Sequence, residues 1–65
     1  MNKMVDIEVQ DQFGRWHHFR RVSDNPPTVM LALKSALKTQ LASRSKKARA
    51  VDPDTGQLID MLFGD

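Results

Sequence analysis

The residues best equipped for chemistry are the adjacent pair His17-His18, the acidic segment Asp52-Pro53-Asp54-Thr55-Gly56, and a basic stretch that includes Trp16. Imidazole nitrogens ligate zinc and carry protons near neutral pH. Neighbouring residues on a strand point to opposite faces, so the two rings do not share one ion. His18 beside Glu8 would start a ligand set, but no third ligand stands at a suitable spacing. The expectation is a surface histidine next to a carboxylate, with no metal. The 52–56 segment, with Asp60 nearby, offers oxygen ligands. It lacks the alternating ligands and closing glutamate of an EF-hand loop, and turn chemistry accounts for each of its residues. No spacing brings a nucleophile, a base and an orienting acid together, so neither an enzyme nor a cofactor is expected. The absence of cysteine removes disulfides, thiolate nucleophiles and Cys-based zinc sites.

The basic stretch raises a different chemistry. From Arg15 to Arg49 nine basic residues face one acid, Asp24, whereas Lys3 stands alone against Asp6, Glu8, Asp11, Asp52, Asp54, Asp60 and Asp65. Phosphate neutralisation by Arg15, Arg20, Arg21, Lys46, Lys47 and Arg49, with Trp16 as a stacking platform, would make a nucleic-acid-binding domain. The competing reading pairs these charges within the chain, Asp6 with Arg20 and Asp60 with Arg49.

These side chains need elements to position them. Residues 4–10 alternate apolar and polar, which predicts a half-buried strand. Asp11-Gln12-Phe13-Gly14 predicts a tight turn into a second strand. Pairing Asp11 with Arg15 sets Val9 against His17, Ile7 against Phe19 and Val5 against Arg21 on the core face. On the other face it sets Glu8 against His18, Asp6 against Arg20 and Met4 against Val22. Asn25 then caps a helix with Pro26 in its first turn, running over 28–44. Its apolar stripe is Val29, Met30, Leu33, Ala36, Leu37 and Leu41, with Leu31 pointing outward. Residues 47–51 and 57–63 flank the second turn. Pairing Asp52 with Gln57 puts Ala50 against Ile59, Ala48 against Met61 and Arg49 against Asp60.

The 65 residues make one small domain, 1–65, with a thin core. The expected fold is α+β, ββαββ, with one helix packed on one face of a four-stranded mixed sheet. Charged strands discourage edge pairing, so the basic second and third strands are placed outside. The resulting order, 2-1-4-3 with a parallel central pair, is β-grasp-like in topology. The N-terminal residues lack a signal-peptide apolar stretch. The longest apolar run, 29–33, falls far short of the roughly 20 residues that span a bilayer. A cytoplasmic protein with no membrane partner is expected. The sheet face away from the helix would show Trp16, Val22, Val51, Leu58 and Leu62 as apolar anchors, ringed by Arg20, Lys47 and Arg49. That arrangement predicts a small non-enzymatic module contacting another protein, or a second copy of itself, through the open sheet face.

Overall fold

The computed structural model describes residues 3–11, 13–39 and 47–63. Strand β1, Met4–Gln10, buries Val5, Ile7 and Val9 and turns its polar positions away, as its alternation dictates. The chain reverses where the Asp11 N–H donates to the Arg15 carbonyl at 2.8 Å and the Gly14 N–H donates to the Asp11 carbonyl at 3.1 Å. Gly14 takes a φ of 83°, a region that costs a residue with a Cβ. Strand β2, Trp16–Ser23, runs back beside β1.

Helix α1, Pro26–Thr39, begins with the Val29 N–H donating to the Asn25 carbonyl at 2.8 Å. Pro26 and Pro27 fill first-turn positions where an N–H has no helical partner. Val29, Ala32, Leu33 and Ala36 are buried and Met30 and Leu37 half-buried, while Leu31 is exposed as expected. The expected Leu41 contact and the 40–46 helix end lie outside the described residues. Strands β3, Lys47–Val51, and β4, Leu58–Phe63, form the second hairpin. Its turn repeats the chemistry of the first. The Asp52 N–H donates to the Gln57 carbonyl at 2.9 Å, the Gly56 N–H to the Asp52 carbonyl at 2.7 Å, and Gly56 has a φ of 78°.

The ββαββ order stands, with a single helix against a four-stranded sheet, but the strand order is β2-β1-β3-β4 and every pairing is antiparallel. The expected mixed sheet and 2-1-4-3 order are therefore corrected. The parallel central pair on which the likeness to the β-grasp rested is absent. Charge does not mark the edges of this sheet. The charged residues of β3 stand on the open face and stay hydrated, while Ala48 and Ala50 turn inward, fully buried, so β3 fits the centre of the sheet. Its Arg49 faces Glu8 of β1, an attraction that edge placement would forgo.

The core joins Val5, Ile7 and Val9 to Val29, Ala32, Leu33, Ala36, Ala48 and Ala50, with Phe19, Val22, Leu37 and Leu62 packed against it. Complete burial of side chains such as Ile7 and Leu33 stabilises by about 1.5–3 kcal/mol each. Each hairpin register starts as expected and then slips by one residue. Val9 opposes His17 and Glu8 opposes His18, but Ile7 opposes Arg20, leaving Phe19 as the extra residue of a β-bulge. Val51 opposes Leu58, but Ala50 opposes Asp60, with Ile59 the extra residue. Ile7 and Ala50 oppose each other, so both bulges lie on one row across the sheet. A bulge bends and twists its strand. Two on one row coil both flanks of the sheet at the same level over a short helix.

Candidate functional site

The bulges decide which side chains reach the open face. Before each bulge the expected face holds, and beyond it the face is exchanged. Trp16, His18, Arg21 and Ser23 of β2 stand opposite Gln10, Glu8, Asp6 and Met4 of β1. Lys47, Arg49 and Val51 of β3 stand opposite Phe63, Met61 and Leu58 of β4. Of the expected anchors, Trp16, Val51 and Leu58 are therefore on the open face, together with Lys47 and Arg49. Val22 and Leu62 are not: both turn to the helix side and pack against the core. Arg20 also turns to that side, where its guanidinium lies 5.0 Å from the Phe19 ring centre. It lines a shallow groove of about 170 Å³ with Val22, Thr28, Leu31, Ala32 and Ser35. Arg21, expected against Val5 on the core face, instead stands opposite Asp6 on the open face, in the place expected of Arg20. Met61 and Phe63, which the unbulged register hid or omitted, join the open face as well.

Two ionic clusters occupy the middle of this face. Asp6 accepts from Arg21 Nε at 2.6 Å and Nη2 at 3.3 Å, with His18 Nε2 at 3.4 Å. The Arg21 hydrogen bond, outweighing partial desolvation, holds the Asp6 carboxyl below the usual carboxylate range. Glu8 accepts from Arg49 Nε at 2.7 Å. The same guanidinium lies 4.0 Å from the Trp16 ring centre, so the indole reaches across β1 to β3. Cation–π contacts of this kind contribute about 0.5–1 kcal/mol at exposed sites. The expected pairs Asp6–Arg20, Glu8–His18 and Arg49–Asp60 are replaced by Asp6–Arg21, Asp6–His18 and Glu8–Arg49.

Along the β4 flank the face becomes apolar. Leu58 is 51% exposed and Phe63 65% exposed, with half-buried Val51 and Met61 between them and Lys47 5.9 Å from the Phe63 ring centre. The signal for Met61 and Phe63 was present in the sequence. Leu58-Ile59-Asp60-Met61-Leu62-Phe63 is apolar at positions of both parities, which an unbroken one-sided strand does not tolerate.

The turns hold the remaining ion pairs. Asp11 Oδ2 meets His17 Nε2 at 2.7 Å while Oδ1 accepts from the Phe13 and Arg15 N–H groups, and the His17 hydrogen bond leads the depression of its pKa. Asp52, 3% exposed, pairs with Lys3 and accepts from the Asp54 N–H at 2.9 Å. The Lys3 hydrogen bond leads the lowering of its pKa. Among the described residues no three His, Cys, Asp or Glu side chains gather to hold a metal ion, and no helix is long and apolar enough to cross a membrane. No family model, curated protein or solved structure matches this chain.

Proposed function

We propose that this chain is a small non-catalytic binding module that contacts another protein, or a second copy of itself, through the open sheet face. The observation that carries the reading is the apolar flank of Leu58, Val51, Met61 and Phe63, which borders the Glu8–Arg49–Trp16 stack. Contiguous exposed apolar side chains with an aromatic and an arginine beside them have the composition of an interface centre. Arg49 and Lys47 supply the polar surround, and Arg21 stands where Arg20 was expected.

The nucleic-acid alternative finds less support. Of its six cations, Arg21 and Arg49 engage Asp6 and Glu8, Arg20 faces the helix side, and Lys46 lies outside the described residues. Arg15, in the first turn, and Lys47, on β3, are left, with the carboxylates of Asp6 and Glu8 in the middle of the face.

The test uses the wild-type chain and a Leu58→Ser/Phe63→Ser variant as baits. A specific partner, including the chain itself, held by the wild type and lost by the folded variant supports the reading. Retention that ignores both substitutions overturns it. So does oligonucleotide binding that weakens steeply with added salt and persists in the variant.

A further inference from the structure

The flank just described ends at the free edge of β4, and the backbone there has an arrangement of its own. Pairs along an antiparallel ladder alternate between hydrogen-bonded and non-hydrogen-bonded, and a residue's N–H and C=O point the same way. Asp52 and Gln57 are joined by a hydrogen bond at the turn, so Val51–Leu58 is an open pair, Ala50 bonds the bulge, and Arg49–Met61 is open again. The Met61 N–H thus points away from β3. It donates instead to Asp60 Oδ1 at 2.8 Å. A side chain of the strand itself covers the outward donor.

Edge strands are guarded by lysine, arginine, proline or shortness. β2 carries His17, His18, Arg20 and Arg21. β4 has none of these residues, and Asp60 is its one charge. Its edge is therefore apolar, with a single removable cover.

We infer that β4 pairs antiparallel with β4 of a second copy, about a two-fold axis through Met61, once Asp60 releases the Met61 N–H. This inference rests on the open-face reading above and names the partner. Pairing across a two-fold normal to the sheet joins residues of the same face, so the axis passes through a residue. On Asp60 it would set two carboxylates against each other. On Met61 it sets Asp60 against Leu62 in both directions, and no like charges meet. The union doubles the four-stranded sheet, joins the two apolar flanks, and leaves only the basic β2 edges outside. Such a dimer closes, whereas β4 added to β2 of the next copy would grow without end.

The experiment is sedimentation equilibrium on four chains: wild type, Asp60→Ala, Leu58→Ser/Phe63→Ser, and a chemically synthesised chain N-methylated at Met61. The methyl group removes a donor that the β3 ladder does not use, so the amide spectrum remains that of the folded chain. Wild type is expected to dimerise, Asp60→Ala about three- to tenfold more tightly, and the N-methyl chain at least about tenfold more weakly. A dimer indifferent to N-methylation but lost in Leu58→Ser/Phe63→Ser overturns strand pairing and leaves the open-face reading intact. Monomers for both wild type and Asp60→Ala at about 1 mM overturn the self-pairing, while the bait experiment still decides the wider reading. Growth past the dimer in Asp60→Ala overturns the two-fold in favour of β4-on-β2 addition.

Discussion

Hairpin β1–β2 and hairpin β3–β4 close on turns in which an aspartate does the same work. The main chain of Asp11 or Asp52 closes the bend, its Oδ1 accepts from N–H groups of the loop, and its Oδ2 meets a basic side chain. Each hairpin then carries one bulge, and the two bulges meet on the Ile7–Ala50 row. Counting back three residues from either aspartate reaches Glu8 and Arg49, which face each other across the central seam. The two turns are thus related by an approximate two-fold axis through an ion pair, and the bulges depart from it, since that axis carries the Ile7–Ala50 row onto the Val9–Ala48 row. They differ in what they bury. The first hairpin turns Val5, Ile7 and Val9 inward, and the second turns Ala48 and Ala50 inward. One half fills the core, and the other leaves room for the helix to lie close.

That division of labour is sharpened first at the shared row. Ile7→Ala should cost about 2–5 kcal/mol in urea titrations, because the side chain is fully buried between two bulges that fix its surroundings. Ala50→Leu should cost about 1–3 kcal/mol by crowding the helix. If the alanine site tolerates the larger residue better than the isoleucine site tolerates loss, the contrast between filling and spacing stands. The reverse ranking breaks it.

The turn glycines should behave alike. A Cβ at Gly14 would meet Gln10 Nε2 at 3.7 Å, and one at Gly56 would meet nothing within 4 Å. Substitution by alanine therefore costs only the left-handed backbone, about 1–2 kcal/mol at either position. A thermal-melt difference confined to one of them would show that the loops are not equivalent.

Acid should loosen both turns and the open face. Asp6, Asp11 and Asp52 have depressed pKa values, led by Arg21, His17 and Lys3 respectively. Between those values and the unfolded value of about 3.9 the unfolded chain binds more protons, so stability rises with pH there and is lost as pH falls through the folded values. Amide shifts of Phe13 and Asp54, which donate to Asp11 and Asp52, should titrate with midpoints below about 3.9. A midpoint at or above that figure in either turn removes its ion pair from the account.

The smallest effect belongs to the seam. A double-mutant cycle of Glu8→Gln and Arg49→Met should give a coupling of about 0.2–1 kcal/mol, as expected for a pair that is partly exposed. A value near zero would leave the two-fold axis as geometry without energetic content.

The elements and both turns were legible because periodicity, proline, glycine and aspartate act locally, and spacing located the helix stripe from Val29 to Leu37 but not Ala32, which is buried beside it. The strand order is also encoded, in the signs of the strands' charges. β2 and β3 are basic, while β1 and β4 bear Asp6, Glu8 and Asp60. The order β2-β1-β3-β4 alternates the signs, so each charged strand lies beside its opposite. Cross-strand attraction outweighed edge protection because the open face keeps central charges in contact with water. The site was legible only up to the bulges. Trp16 and Leu58 lie between a turn and its bulge and were placed correctly. Val22 and Leu62 lie beyond one and were exchanged with Arg21 and Met61. A bulge arises from packing across strands, which a single strand's pattern expresses only as broken alternation.

The placement of Trp16 gives the chain a built-in clock for assembly. Its indole belongs to the first hairpin and is covered by a guanidinium from the second, and it is the sole tryptophan. Ultraviolet emission after rapid dilution from denaturant should therefore time the docking of one half onto the other, separately from the closing of either bend, without any attached dye.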